Sequence, residues 1–408
     1  MVAMNQNNIL VINCGSSSLK FSLIDPTSGD SLLSGLAERL MSPQASIKVK
    51  GVENSFSENL TAPYDHQSAL TTLVKTLYKL NLVTHIIAIG HRVVHGGEFY
   101  SQPTLINDEV KAKIEQLSQL APLHNPANLM GINAAQEAFP TLAQVAVFDT
   151  AFHQTMPEKA YLYGLPYRLY KQHSIRRYGF HGTSHFFVAQ QAAKKLNKPL
   201  DQCSLISAHL GNGCSVTAIK NGQSVDTSLG FTPLEGVMMG TRSGDVDPGV
   251  IFHLVQQLGY SVEQVNQLLN KESGLLGVSE LSNDCRALET AANEEGNVQA
   301  KLALTVFCYR IAKAIAGFSA SLTLLDGLIF TGGIGENSLY VRAQILAQLS
   351  LLNFDVDDQE NERIRFGQSG IISSSNSRPC WVIPTNEEWV ISQQTHQLIS
   401  IESNEGPA

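Results

Sequence analysis

Apolar runs of strand length recur along the chain and end in Gly or polar residues: Ile9 to Ile12, His85 to Ile89, Val145 to Phe148, Leu205 to Ala208 and Leu328 to Phe330. Short apolar runs bounded in this way predict buried strands. Between them the spacing turns helical. Leu304, Phe307, Cys308, Ile311, Ile315, Phe318 and Leu322 recur every three or four residues, which puts one apolar stripe along a long helix. A second helix is predicted after Ser338 as its N-cap, carrying Leu339, Val341, Ile345 and Leu349. Strands and helices alternate over most of the length, so α/β layers are expected.

The pattern also echoes itself. With NCGSSSLKFSLID (13–25) laid over HLGNGCSVTAIKN (209–221), each copy reads as a strand end, a small polar turn and an alternating strand. Gly15 falls on Gly211, Ser16 on Asn212 and Ser17 on Gly213. Two copies of a phosphate-sized turn suggest two similar domains facing each other across a cleft. The length of 408 residues, too long for one ordinary core, agrees with two domains.

Composition narrows the partners. With 43% apolar and 16% charged residues and a formal net charge of −8, the chain is globular and ill-suited to a nucleic-acid backbone. A small-molecule partner is expected instead. The six cysteines are scattered without a C-x-x-C pair, and read as reduced thiols of the cytoplasm. The N-terminal MVAMNQNNIL lacks a basic flank and a long apolar segment, so no secretory signal is expected. The uncharged stretch between Lys313 and Asp326 is short of the ~20 residues a membrane helix needs, so no membrane partner is expected.

Three turns carry candidate chemistry. The first, GSSS with Lys20, does not match the P-loop pattern, and alone it reads as a hairpin able to meet an anion. AHLGNGCSV at 208–216 adds a loop in which Gly211 and Gly213 let a ligand approach the backbone beside the Asn212 amide. FTGGIGENS at 330–338 adds a strand, a Gly-rich bend and a helix start. Three small-residue turns, each directly after an apolar strand, point to phosphate contacts.

GHRVVHGGE at 90–98 has His91 and His95 four apart, but Arg92 stands where a zinc hydrolase helix needs Glu. Arg92 then becomes the interesting residue, since a guanidinium at a strand end can grip a carboxylate or phosphate. Arg242 in MMGTRSGDVDPG and His181 in RRYGFHGTSH offer further charge for anions. Asp149 in VFDTAFH, at the end of a buried strand, needs a partner such as Mg²⁺, and Glu387 and Glu388 in TNEEW offer a second contact. Together these are parts for phosphoryl transfer.

The chain is similar to the acetate and propionate kinase family, and more distantly to actin, sugar kinases and chaperone ATPases. The likeness runs from about Ile9 to Ile391 through NCGSSSLK, GHRVVHGGE, LAPLHNP, VFDTAFH, RRYGFHGTSH, AHLGNGCS, GTRSGDVDPG, SNDCR, FTGGIGENS and TNEEW. It implies two domains of the actin-like ATPase (ribonuclease H-like) fold: residues 1–151 with 387–408, and 152–386. It implies Mg²⁺ at Asn13 and Glu387, with Mn²⁺ able to substitute, and ATP or ADP phosphates at Ser16, Ser18 and Lys20. Arg92, Asp149, His181 and Arg242 match catalytic positions, and His124 a further position in the cleft. His209, Leu210, Gly211, Asn212 and Gly213 match the phosphate loop. Asp284, Cys285, Arg286, Gly333 and Ile334, with Gly335, Glu336 and Asn337, match the adenosine side. Arg92, Val94, Leu123, Phe180 and Pro233 match the acyl-substrate site. Cys285 and Cys14 depart from the usual family residues, which leaves the choice of nucleobase open.

What the resemblance implies is a cytoplasmic homodimer that transfers the γ-phosphoryl group of ATP to acetate in line, giving acetyl phosphate and ADP. Propionate or another short-chain acid is the alternative substrate. A carboxylate acceptor with pKa near ~4 to 5 is already ionised at pH 7 and needs no general base, so the work is positioning and charge neutralisation. A sugar kinase would instead use Asp149 as base, and an ATPase switch would turn over without acetate.

Overall fold

A computed structural model describes residues 7–51, 55–122 and 124–405. Contacts divide the chain into unit 1, Met1–Ala151 with Asn386–Ala408, and unit 2, Phe152–Thr385.

Unit 1 is built on an eight-stranded sheet. Its strands are β1 (Asn8–Gly15), β2 (Ser18–Ile24), β3 (Ser31–Glu38), β4 (Ser46–Gly51), β5 (Ser55–Asn59), β6 (Ile86–Val93), β7 (Thr104–Leu105) and β8 (Ala143–Phe148), in the order β5-β4-β3-β2-β1-β6-β8-β7. β1 to β5 form an antiparallel meander, and β6 and β8 continue it in parallel with β1. The alternation in β1 sends Leu10, Ile12 and Cys14 to one face, packed with helix His66–Lys79, while Ile9 and Val11 join Ala88, Val145 and Ile391 on the other. Helix Glu387–Glu405 closes that second face. Its approach needs Gly90, where a Cβ would stand 2.5 Å from Thr395 Oγ1.

Unit 2 holds β9 (Ser204–Leu210), β10 (Cys214–Lys220), β11 (Gln223–Thr227), β12 (Gly327–Thr331), β13 (Gly370–Ile371) and β14 (Cys380–Val382), ordered β11-β10-β9-β12-β14-β13. β9 to β11 are antiparallel, and β12 and β14 follow in parallel. The order β3-β2-β1-β6-β8 of unit 1 is thus repeated as β11-β10-β9-β12-β14, and the echoed turns fall on the first hairpin of each. Gly15 pairs with Ser18 around a two-residue turn; Leu210 pairs with Cys214 around three.

The long helix runs Val298–Phe318 and buries Leu304, Phe307, Cys308, Ile311 and Ile315. It stops before Leu322, contrary to the predicted stripe, because a 3₁₀ turn takes over at Ser319–Ser321. With the 3₁₀ turn it is also long and apolar enough, by length and composition, to cross a membrane, which the count of uncharged residues did not anticipate. The buried stripe is that of a core helix. Ser338 is the N-cap of helix Leu339–Leu346, accepting from Val341 N, as the pattern predicts. Helix Pro248–Gln256 differs from both: none of its residues is buried, and Val250 and Phe252 are exposed.

Candidate active site

In unit 1 three candidates stand at the carboxyl ends of adjacent strands: Asn13 on β1, Arg92 on β6 and Asp149 just after β8. That is where an open α/β sheet places its ligand site. Arg92 Nε donates to Asp149 Oδ1 at 3.1 Å and Nη2 to Oδ2, while Nη1 reaches Asn13 Oδ1 at 3.3 Å. Both carboxylate oxygens of Asp149 are therefore engaged by one guanidinium. Burial opposes the charge on Arg92, but Asp149, Glu387 and Glu388 outweigh it and raise its pKa. Burial also raises Asp149 and Glu387 above the usual carboxylate range.

Behind these groups the hairpin is pinned by buried amides. Asn128 donates to Cys14 O at 2.7 Å and accepts from Val94 N at 3.0 Å, and Asn125 accepts from His95 N at 3.1 Å. Gly131 makes this approach possible, since a Cβ there would collide with Cys14 Sγ. Ser16 is exposed and Ser18 half-buried, and Lys20 is ion-paired with Glu388. Val94 is buried, His124 stands at the N-terminal end of helix Asn125–Ala138 without a side-chain capping bond, and Leu123 lies outside the described residues.

Asn13 and Glu387 are both oxygen donors. Among the described residues no cluster of three or more His, Cys, Asp or Glu could hold a metal ion. Mg²⁺ is bound by one or two carboxylates plus substrate phosphates and water, and an amide oxygen with one carboxylate is a donor set of that kind. The desolvated Glu387 carboxylate, with Glu388 beside it, is the kind of charge such an ion relieves, so these residues fit the ion.

In unit 2, β9 and β10 deliver the second glycine loop. His181 starts helix Gly182–Leu196 in the left-handed conformation, φ 56°, a strained backbone for a non-glycine residue. Its Nδ1 lies 2.9 Å from Ser215 Oγ, and its ring stacks on His209 at 4.3 Å. Arg242 Nη1 and His181 Cε1 each come within 3.5 Å of where a side chain on Gly213 would begin, so the two converge over that glycine. Arg242 Nη1 donates to Pro233 O at 3.0 Å, and among the described residues no carboxylate pairs with it. Burial of this unpaired charge lowers its pKa, which is the environment an anionic ligand would complete.

A relay behind His181 was not singled out from the sequence. His185 bridges Ser207 Oγ at 2.6 Å and Ser215 Oγ at 2.7 Å, Ser184 meets His209 Nδ1 at 2.8 Å, and His153 contacts Ser224 and Phe180 O. Burial pushes His153 down to about 4 and His185 well below the ordinary range, so both are neutral and structural. The sequence signals were His153 and His185, the last residues of VFDTAFH and RRYGFHGTSH.

A cleft of about 540 Å³ brings together Gly211, Asn212, Asp284, Cys285, Arg286, Gly333, Ile334 and Asn337. The other candidates of these turns face elsewhere. Leu210 is fully buried against Gly335, which removes its side chain from any ligand. Glu336 Oε1 accepts from Gly332 N at 2.9 Å and Thr385 N at 3.1 Å, so that oxygen holds the turn. Phe180 is buried and Pro233 half-buried.

Two sheets of one strand order, each opening on a small-residue hairpin, define the actin-like ATPase class of fold. Residues 8–393 match the acetokinase family, and the chain belongs to it. It is 54% identical over 399 residues to the acetate kinase of Shewanella sp. (strain ANA-3), covering 97% of this chain and 100% of that one. The crystal structure of Porphyromonas gingivalis acetate kinase superposes with a TM-score of 0.91 at 42% identity, covering 96% and 100% of the two chains. A propionate kinase from Francisella tularensis gives 0.91 at 45% identity, with 96% and 99% covered.

Proposed function

We propose that the protein is an acetate kinase that reversibly transfers the γ-phosphoryl group of ATP to a carboxylate oxygen of acetate, releasing ADP and acetyl phosphate. The observation that carries this reading is the bidentate Arg92–Asp149 pair. A kinase acting on a hydroxyl needs a carboxylate with an oxygen free to take the proton; here both oxygens of Asp149 are committed, which suits an acceptor that is already ionised. Identity to curated acetate kinases supports the same conclusion.

In this mechanism Asp149 holds Arg92 in place at the strand end. Arg242, whose charge has no carboxylate partner among the described residues, takes the anionic groups of the reactants, and His181, oriented through Ser215, donates to a phosphoryl oxygen. Asn13 and Glu387 would hold Mg²⁺, which when bound would neutralise phosphate charge. The glycine loop at 211–213 admits phosphates against backbone amides.

The likeness to a propionate kinase supports propionate as the secondary substrate, and the burial of Val94 is compatible with a place in the acyl pocket. The exposed apolar residues Val246, Val250, Phe252, Leu258, Tyr260 and Val262, close together in sequence, support a homodimer formed through this segment. Six unpaired, buried thiols support a reducing, cytoplasmic setting. The test is hydroxamate trapping of the product from ATP, Mg²⁺ and acetate, propionate or butyrate. Acyl hydroxamate strongest with acetate is expected, and ADP release without hydroxamate would refute the reading.

A further inference from the structure

The 540 Å³ cleft of unit 2 also holds a carboxylate to which no phosphate-binding role belongs. Glu289 projects from helix Cys285–Asn293 into its wall. Its Oε1 accepts from the Ser338 hydroxyl and, at 3.3 Å, from the Cys285 thiol. Burial and the neighbouring carboxylate raise the Cys285 pKa, so the thiol stays a donor. These two contacts fix the carboxylate at one oxygen, and Oε2 has no hydrogen bond to a described residue.

The rest of the cleft is suited to a flat ring. A Cβ on Gly333 would meet nothing within 4 Å, Ile334 lies beside it, and Phe366 is 79% exposed. Phe366 is itself held, its amide donating to Asn337 Oδ1 at 2.9 Å. A half-buried carboxylate in such a cleft calls for an N–H donor, and amino-bearing purines carry one at N6 of adenine or N2 of guanine.

We propose that Glu289 is a specificity-determining residue: Oε2 accepts a hydrogen bond from the exocyclic N6 amino group of adenine, so that the protein favours ATP over a purine nucleotide with no amino group there. This rests on the phosphoryl-transfer reading above. It also gives Cys285 a role, since its thiol helps to aim the carboxylate.

The experiment compares kcat/KM for ATP and purine riboside 5′-triphosphate, which lacks the amino group, using hydroxamate trapping at saturating acetate and Mg²⁺. The wild-type chain should prefer ATP to the amino-free analogue by ~10- to 100-fold, as expected when an acceptor site loses its donor. Glu289→Ala should reduce that preference below ~3-fold. Glu289→Gln, which keeps an acceptor for the Ser338 hydroxyl and so guards against misfolding, should reduce it at least ~3-fold. Equal use of ATP and the analogue by the wild type, or an undiminished preference in Glu289→Gln, overturns the proposal. Should no acyl phosphate form with any nucleotide, the reaction reading falls, and the same ratios are then measured as dissociation constants by calorimetry.

Discussion

Replacing Asp149 by Ala should destabilise unit 1 by ~3 kcal/mol, and the reason lies in what is left behind. In the wild type Arg92 gives Asp149 two hydrogen bonds, and its remaining side-chain contact is Asn13 Oδ1 at 3.3 Å. Removing one partner of a buried pair costs ~3–5 kcal/mol, because the other charge stays desolvated. The Arg92 side chain is 22% exposed and keeps the field of Glu387, which favours the lower end; Asp149, 2% exposed, would be worse off in Arg92→Ala, at ~4–5 kcal/mol. The double variant strands neither charge, so its cost should fall short of the sum by ~2 kcal/mol or more. The chain has two tryptophans, Trp381 in unit 2 and Trp389 in unit 1. Trp389 is anchored to Pro26 O at 3.1 Å, so in a Trp381→Phe background its fluorescence reports unit 1 alone. Urea unfolding at pH 7 in EDTA, with unchanged slope, gives the four free energies. Asp149→Ala within ~0.5 kcal/mol of its parent, or strictly additive variants, would refute the account.

Arg242→Ala should keep the fold and lose ~10³-fold or more in turnover, as other phosphoryl-transfer arginines do; normal kcat in a folded variant removes Arg242 from the chemistry. Val94→Ala should lower KM for propionate more than for acetate, by up to ~10-fold for one methylene, and equal changes would show that Val94 is not in the acyl pocket. Glu387→Gln should raise the Mg²⁺ concentration needed for half-maximal acyl phosphate formation by ~10-fold or more, and an unshifted titration counts against Glu387 as a ligand. Unit 2 stability, followed by Trp381, should be complete above about pH 6.5 and fall as pH drops toward 4. His153, held neutral down to about 4, and His185 with it, gain protons only on unfolding, each worth up to ~1.4 kcal/mol per pH unit. A flat urea midpoint between pH 7 and 5 would contradict buried neutral histidines.

Much of the fold could be read from local pattern. The strands β1, β6, β8, β9 and β12 are buried apolar runs, and burial on both faces leaves that continuous signature. β5 could not be found in this way, since every residue of Ser55–Asn59 is exposed and its pairing with β4 is all that makes it a strand. The end of the long helix was misplaced for a related reason: Leu322 keeps the apolar spacing after the backbone has already turned. Among the candidate site residues, Leu210 and Glu336 lie in glycine-rich motifs, yet their side chains serve the core and a turn. Adjacency in a motif does not say which way a side chain points.

By itself the sequence determined the strand runs, the repeated glycine turns, the cap at Ser338 and membership of a kinase family, because each is written in neighbouring residues. Only the tertiary structure decided how the charges are partnered. Arg92 meets Asp149 across 57 positions, Arg242 has no carboxylate partner among the described residues, and Glu289 is aimed by Ser338 across 49 positions. Those outcomes depend on which distant strands and helices come to lie side by side, and a buried charge is defined by its neighbours in space rather than along the chain.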